Sequence, residues 1–517
     1  MSVQNYKLLP EQLFFRLRNW FVGHRVPFIC GILAGFLTHG YMLANKIPNH
    51  DDVMATFYKG DGLSSGRWAL DWMSYLFPDY SMPWIYGILT VFLITVSACV
   101  ILDIFSIRSG ALQGIFSALL VTFPSLTGTM SYMFTAVAYA ASFFFAALAV
   151  SLFLRSSRLC RLFALLLMVF SVGIYQAYFA VGICLLLLAV LQQFLLEKQE
   201  TRKTVWQGVF SILFLLLSLA LYLLIFWLLL VLKQQQPNIY ASSNLRFGEL
   251  SVPEVLQSIY RSFYHTVLHR QYAVVPTTLS KYLHLIFFAG TFAVTLMALR
   301  HKKISTKIFI FVLILLLPVG IYSVMFLTTD VHTLVMYSFV SLYLLAAIML
   351  DSPTQHDTPR LLTALRRFAA QAVAVSLLLI AATNVYIGNQ AYLRMQLVYE
   401  NTYAFYTSLA TQIKMTPGFD ENAIVALIGS MPRAVYSLPE FDETEYPVGT
   451  QGIQIHSYSK KRFLQLYVGF DVPFATPEEI REIRQTEEYR QMPQYPYEGS
   501  VRAIGRFIVV KLSDEAP

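Results

Sequence analysis

Long apolar runs recur along most of this chain, and they leave few architectures open. Runs of about 18 or more apolar residues, bounded by short polar stretches, read as membrane-spanning helices. About eleven can be drawn at roughly 20 residues each, at 26–45, 84–104, 111–128, 133–154, 162–176, 178–196, 206–232, 282–299, 308–328, 334–350 and 368–388. The fifth and sixth also read as one long segment broken at Gln176. Only 13% of the residues are charged and 56% are hydrophobic, against roughly 25% charged in soluble domains. The predicted class is mainly α, a polytopic membrane helical bundle of about eleven spans, with a small α/β domain at the C-terminal end.

The net charge of +8 would suit nucleic acid if the basic residues were spread over a soluble surface. They collect instead in short clusters between runs: Arg108; Arg155, Arg158 and Arg161; Lys198, Arg202 and Lys203; Arg300, Lys302, Lys303 and Lys307; Arg360, Arg366 and Arg367. These fall in every second loop, on the side of the basic N-terminus, which is the positive-inside pattern of a cytoplasmic face. No nucleic-acid partner is expected. Residues 1–25 read as a cytoplasmic amphipathic helix lying in the interface, with Leu13, Phe14, Leu17, Trp20 and Phe21 opposed to Arg16, Arg18 and Arg25. No small-residue cleavage site follows, so the first run reads as a retained span. The four cysteines all lie in or beside apolar runs, as small buried hydrophobes rather than a disulfide or metal framework.

The remaining loops then face outward: 46–83, 129–132, 176–178, 233–281, 329–333 and the tail. Within 233–281, Gln234 to Ser243 reads as extended. Val252-Pro253-Glu254 opens a helix toward His269, with proline in the first turn. Leu256, Ile259, Tyr260, Phe263, Tyr264 and Val267 recur at helical spacing, as in a helix on the outer membrane surface. The expected division is 1–25, the membrane domain 26–390 with its outer loops 46–83 and 233–281, and a periplasmic α/β domain 391–517. In that last part Ala391 to Lys414 reads as a helix leaving the final span. Ala423–Gly429, Leu464–Gly469 and Phe507–Leu512 read as strands, and Thr476-Pro-Glu-Glu479 as a capped helix start.

Chemistry-bearing residues gather on the outward side. Asp51 and Asp52 follow the first span, after Pro48 and Asn49. Neighbours in a helix or strand do not share a face, so both reach one atom only if the backbone turns there. The pair reads either as a general base with an orienting partner or as a helix cap outside the bilayer. The same loop holds Lys59, Arg67, Trp68, Asp71 and Trp72. The cations Lys59 and Arg67 suit a phosphate, although Arg67 at i,i+4 from Asp71 also suits an ion pair. Trp68 reads as a sugar platform or an interfacial anchor. Tyr175, Gln176 and Tyr178 read as hydroxyl-recognising groups or part of an aromatic belt, and Tyr132 lies on the same side. His265, His269 and Arg270 form a basic group; two histidines four apart suit a metal, but a third ligand is not evident. Asp330 and His332 occupy the fifth outer loop. No glycine-rich phosphate loop, nucleophile elbow or His-Glu-x-x-His is present.

A basic start, one span, an outer loop with an acid pair, many further spans and an external tail resemble a GT-C type glycosyltransferase. Asn49-His50-Asp51-Asp52, Gly66-Arg67-Trp68 and Tyr175-Gln176-Ala177-Tyr178 resemble the bacterial and phage serotype-converting O-antigen glucosyltransferases. The resemblance implies an inner-membrane enzyme taking glucose from an undecaprenyl-phosphate donor at the periplasmic face. The acceptor would be a hydroxyl of O-antigen or of a lipid-linked oligosaccharide, with Asp51 or Asp52 as general base. A small flippase and a donor-synthesising membrane enzyme would be its partners, besides membrane lipids. Some GT-C enzymes carry an acid in the second outer loop; Gly128 to Tyr132 has none. A monophosphate donor needs less neutralisation than a diphosphate, so no cofactor or metal site is expected. A direct displacement would invert the anomeric centre. The competing readings are a lipid-linked sugar transporter or flippase, which should place charges mid-span, and an O-antigen polymerase or ligase.

Overall fold

The computed structural model describes residues 9–55, 62–78, 80–155, 157–196, 200–237, 251–327, 331–352, 360–420, 422–441, 444–452 and 459–514. Lys59, Asp330 and the second half of the expected extended stretch at 234–243 lie outside them. The helices run α1 (Leu9–Gly23), α2 (Arg25–Ala44), α3 (His50–Ala55), α4 (Trp68–Leu76), α5 (Pro83–Phe105), α6 (Gly110–Thr122), α7 (Pro124–Ser131) and α8 (Met133–Phe153). They continue with α9 (Arg158–Ile174), α10 (Phe179–Leu196), α11 (Thr201–Leu232), α12 (Val252–Leu268), α13 (Thr278–Leu299), α14 (Ile304–Ile321), α15 (Val340–Asp351) and α16 (Arg360–Met415). Among the described residues ten helical stretches are long and apolar enough to cross a membrane. The helix α9, at 17 residues, is the eleventh run expected from sequence. It is separated from α10 by Tyr175 in extended backbone, so the fifth and sixth runs are two helices and not one broken segment. Phe123, held extended by the following Pro124, breaks the third run into α6 and α7.

Contacts between distant residues sort the helix ends. His24 Nε2 lies 2.8 Å from Asp103 Oδ1, and Trp20 donates to the same carboxylate at 2.9 Å. Gln192 donates to the Phe105 carbonyl at 2.7 Å. Asp351 accepts the N–H groups of Arg108 and Ser109 at 2.9 and 3.0 Å. These residues mark one end of the bundle. The other end carries α3, the loop into α4, the start of α8 and the α9–α10 junction. Small residues let α2 approach its neighbours: Gly31 faces Thr95 and Ser117, and Gly35 faces Val91 and Val121.

The final helix, α16, is 56 residues long and joins the two parts of the molecule. Tyr392 and Met395 lie in the bundle core. Tyr406, Leu409 and Ile413, three turns on, lie in the core of the tail. The boundary expected at residue 390 therefore falls within one continuous helix. The tail holds a three-stranded sheet in the order β1-β3-β2. Strand β1 (Ile424–Ile428) pairs parallel with β3 (Phe507–Lys511), and β2 (Val501–Ile504) pairs antiparallel with β3. Thr476 and Glu479 form the capping box of α17 (Pro477–Gln485), as its spacing predicts.

Leu464–Gly469, expected as a strand, is helical. Lys460–Phe463 runs into a wider turn at Leu464–Val468, which ends at Gly469 with φ +68. Phe463 and Tyr467, four apart, stack at 5.1 Å, a helical pairing. A short apolar run does not by itself separate strand from helix. The tail core also takes in Val53 of α3. Residues 447–449 of the tail cover the end of α7, with Val448 and Gly449 against Gly128, Ser131 and Tyr132.

Candidate active site

The chain leaves α2 at Ala44 and re-enters helix at His50, and Asn49 makes that restart. Its side-chain oxygen accepts the N–H groups of Asp51 and Asp52, both at 2.9 Å, the geometry of an N-cap. The capping role weighed for the acids thus belongs to Asn49. Because α3 is helical, its neighbouring carboxylates diverge by about 100°. Asp51 is turned outward: its side chain is 42% exposed and lies 3.7 Å from the His50 ring. Asp52 is fully buried.

Asp52 Oδ1 accepts the Phe134 N–H at 3.4 Å, at the start of α8, where helical N–H groups lack intrahelical partners. Oδ2 lies 4.0 Å from Lys46 Nζ. Burial pushes the Asp52 carboxyl up to about 6; Lys46, the Phe134 N–H and the Ser81 hydroxyl each act in the opposite direction, and Asp51 adds slightly to the rise. Burial likewise depresses Lys46, partly offset by Asp52. A carboxyl poised just below neutral pH is the state a general base requires.

A second constellation stands on the same helix. Arg67 Nη1 donates to the Tyr139 hydroxyl at 3.1 Å, and its guanidinium lies 5.3 Å from the Tyr175 ring centre. Tyr139 and Tyr175 stack at 4.2 Å. Gln176 donates to the Ser65 carbonyl at 3.0 Å and to the Tyr222 hydroxyl at 3.1 Å, and Tyr222 donates to the Gly66 carbonyl at 3.0 Å. Asp71 accepts the N–H groups of Gly62 and Leu63, each at 3.1 Å. The loop from 62 to 67 is thereby tied to α8, α11 and the α9–α10 junction. Phe134, which meets Asp52, and Tyr139, which meets Arg67, are five residues apart on α8, about 7.5 Å of axial rise.

The other expected site residues fall in different settings. Trp68 is buried against Gly173 of α9 and packs edge-on with Trp72 at 5.0 Å, a helix-packing position. Tyr178 is buried in the bundle core, with Phe143 and Tyr337 around it. The His265 and His269 rings lie 4.9 Å apart, tilted by 42°, at the end of α12, and Arg261 donates to His265 at 3.4 Å. Arg270 turns the chain in left-handed backbone, φ +59, toward Tyr272. The Tyr272 carbonyl accepts from Thr333, next to His332, at 2.7 Å. Among the described residues no three His, Cys, Asp or Glu side chains converge to hold a metal ion. Lys46, Ser81, Tyr139 and Tyr222 escaped the sequence reading. Tyr222, a polar group inside an apolar run, and Lys46, close before Asp52 in the chain, carried the available signals; Ser81 and Tyr139 depend on contacts distant in sequence.

Many apolar helices around a one-ended polar site, with a buried carboxylate and an arginine, describe a membrane-embedded group-transfer enzyme. Residues 40–351 match the family of the glucosyl transferase GtrII. The chain belongs to that family. It is therefore a multi-pass membrane glucosyltransferase of O-antigen modification, as the resemblance implies. No curated protein and no solved structure matches it.

Proposed function

We propose that the enzyme transfers glucose from undecaprenyl phosphate to a hydroxyl of O-antigen at the periplasmic face of the inner membrane. Sidedness is supported by charge. The basic clusters flank the helix ends around His24, Asp103 and Asp351, and Asp52 stands at the opposite end. The tail would lie with Asp52, outside. The observation that carries the reading is the fully buried Asp52 carboxylate at the start of α8, raised to about 6.

In this reading Asp52 takes the proton from the acceptor hydroxyl as its oxygen bonds to the anomeric carbon. The bond from that carbon to the lipid phosphate breaks, and the phosphate leaves with the electron pair. Attack opposite the leaving group inverts the anomeric centre. Arg67, oriented by Tyr139 and Tyr175, stabilises charge developing on the phosphate. No metal is invoked, because two cations, Lys46 and Arg67, serve a monophosphate. Asp51, half-exposed beside His50, orients the acceptor. The experiment supplies the reconstituted protein with undecaprenyl-phosphate-glucose and O-antigen acceptor and measures new glycosidic bond. Asp52→Asn should lower turnover by about 100-fold or more, and Asp51→Asn by less. Full activity in Asp52→Asn rejects the assignment.

A further inference from the structure

At the end of the bundle opposite Asp52 a cavity of about 900 Å³ opens where α10, α13, α14, α15 and α16 terminate. Its rim carries Arg300, His301, Lys302, Lys307, Arg366 and Arg367. Its wall is apolar, formed by Leu195, Leu296, Leu350 and Leu362. No Asp or Glu lines it among the described residues. The nearby acid, Asp351, is committed to the N–H groups of Arg108 and Ser109. Two of the cations are held in place: Arg366 donates to the Ser352 carbonyl at 2.9 Å, and Lys307 to the Arg300 carbonyl at 3.0 Å.

Topology alone asks for basic residues near helix ends; it does not ask that they converge on a concavity. Like charges around a low-dielectric hollow repel one another and focus positive potential into it. An anion in the hollow relieves that repulsion. Arginine forks suit phosphate oxygens, and the leucine wall suits the first methylenes of an acyl chain. The volume falls within the range of small-molecule sites, and basic pockets between membrane helices accept acidic lipid headgroups. We infer that this cavity binds the phosphate headgroup of an anionic phospholipid. The site is separate from the transfer chemistry and does not depend on which aspartate is the base.

A second cavity at the same end, of about 890 Å³ between α8, α9, α10 and α11, supplies the control. Among the described residues it carries only Arg161 and Lys203 as cations, with Gln192, Gln193 and Gln207. The experiment measures lipid retained by the purified full-length protein in neutral detergent, by native mass spectrometry and by thermal shift. Phosphatidylglycerol, phosphatidylcholine and inorganic phosphate are the probes. Phosphatidylglycerol should bind and raise the Tm, and phosphatidylcholine should not. Binding should weaken at least tenfold in a K302Q/K307Q/R366Q/R367Q variant and stay unchanged in R161Q/K203Q. The single variant Arg367→Gln, at an exposed position, guards against misfolding: it should keep the lipid-free Tm and weaken binding severalfold. Equal binding by the wild type and a folded Arg367→Gln protein would overturn the inference. So would a thermal shift from inorganic phosphate equal to that from the lipid, or equal loss of binding in R161Q/K203Q.

Discussion

Ionising a carboxyl group that has been taken out of water costs free energy, and at Asp52 burial imposes that cost. The carboxyl rises from 3.8 to about 6 in the folded protein, chiefly through burial. Between these values the folded state binds more protons than the unfolded chain. Stability from this group is therefore full below about pH 4 and falls as pH rises through about 6, by about 3 kcal/mol in all. Activity runs the other way, because the base must be ionised: turnover should fall about tenfold per pH unit below pH 6. Asp52→Asn should thus be inactive yet no less stable than the wild type at pH 7.5. Denaturation midpoints and turnover measured across pH 4.5–8 check both trends together. Gly66 makes a second residue-scale test. Its φ is +78, and an added Cβ would meet Gln176 Nε2 and the Tyr222 hydroxyl, each at 2.7 Å. Gly66→Ala should cost about 1–3 kcal/mol of local order and lower kcat/KM at least tenfold, with membrane insertion unchanged.

At the scale of elements, α3 is too short to hold itself, yet it carries the acid pair. Two neighbours fix it. Asp52 meets the first turn of α8, while Val53, on the next position, enters the tail core with Tyr406, Leu409 and Ile413 of α16. The tail thereby bears on the orientation of the base, although no strand of it supplies a candidate catalytic group. Val53→Asp should bury a charge without a matching partner in that core. It should detach α3 from the tail and lower transfer at least tenfold, while Val53→Ile, which keeps the apolar contact, should retain most of it. Limited proteolysis around residue 50 reads the detachment directly. The strands of the tail show where short-range pattern suffices. Runs such as Ile424–Ile428 and Phe507–Lys511 end at Gly429 or lie in a hairpin with Gly505 at its turn. Leu464–Val468 had similar composition and became helical, because the Phe463–Tyr467 stack and the buried Leu464 set its period.

For the whole molecule, one charge asymmetry organises everything else. Reporter fusions after residues 48 and 416 should behave as periplasmic, and fusions within 197–203 or after residue 302 as cytoplasmic. A cytoplasmic signal at residue 48 would reverse the proposed face of the reaction. The helical, many-span character of the chain and the existence of the tail were legible from the residues alone, because hydropathy acts over roughly 20 residues at a time. The acid pair was legible as a pair, and Arg67 as a cation beside it. Which carboxylate is buried was not, since that depends on Asn49 capping α3, on α8 arriving at Phe134 and on the tail gripping Val53. Tyr139 stayed hidden for the same reason: its partner Arg67 lies 72 residues away. Sequence set the membrane path of the chain because transfer into lipid is a local cost. Only tertiary packing separated Asp52 from Asp51, because desolvation is imposed by neighbours from elsewhere in the chain.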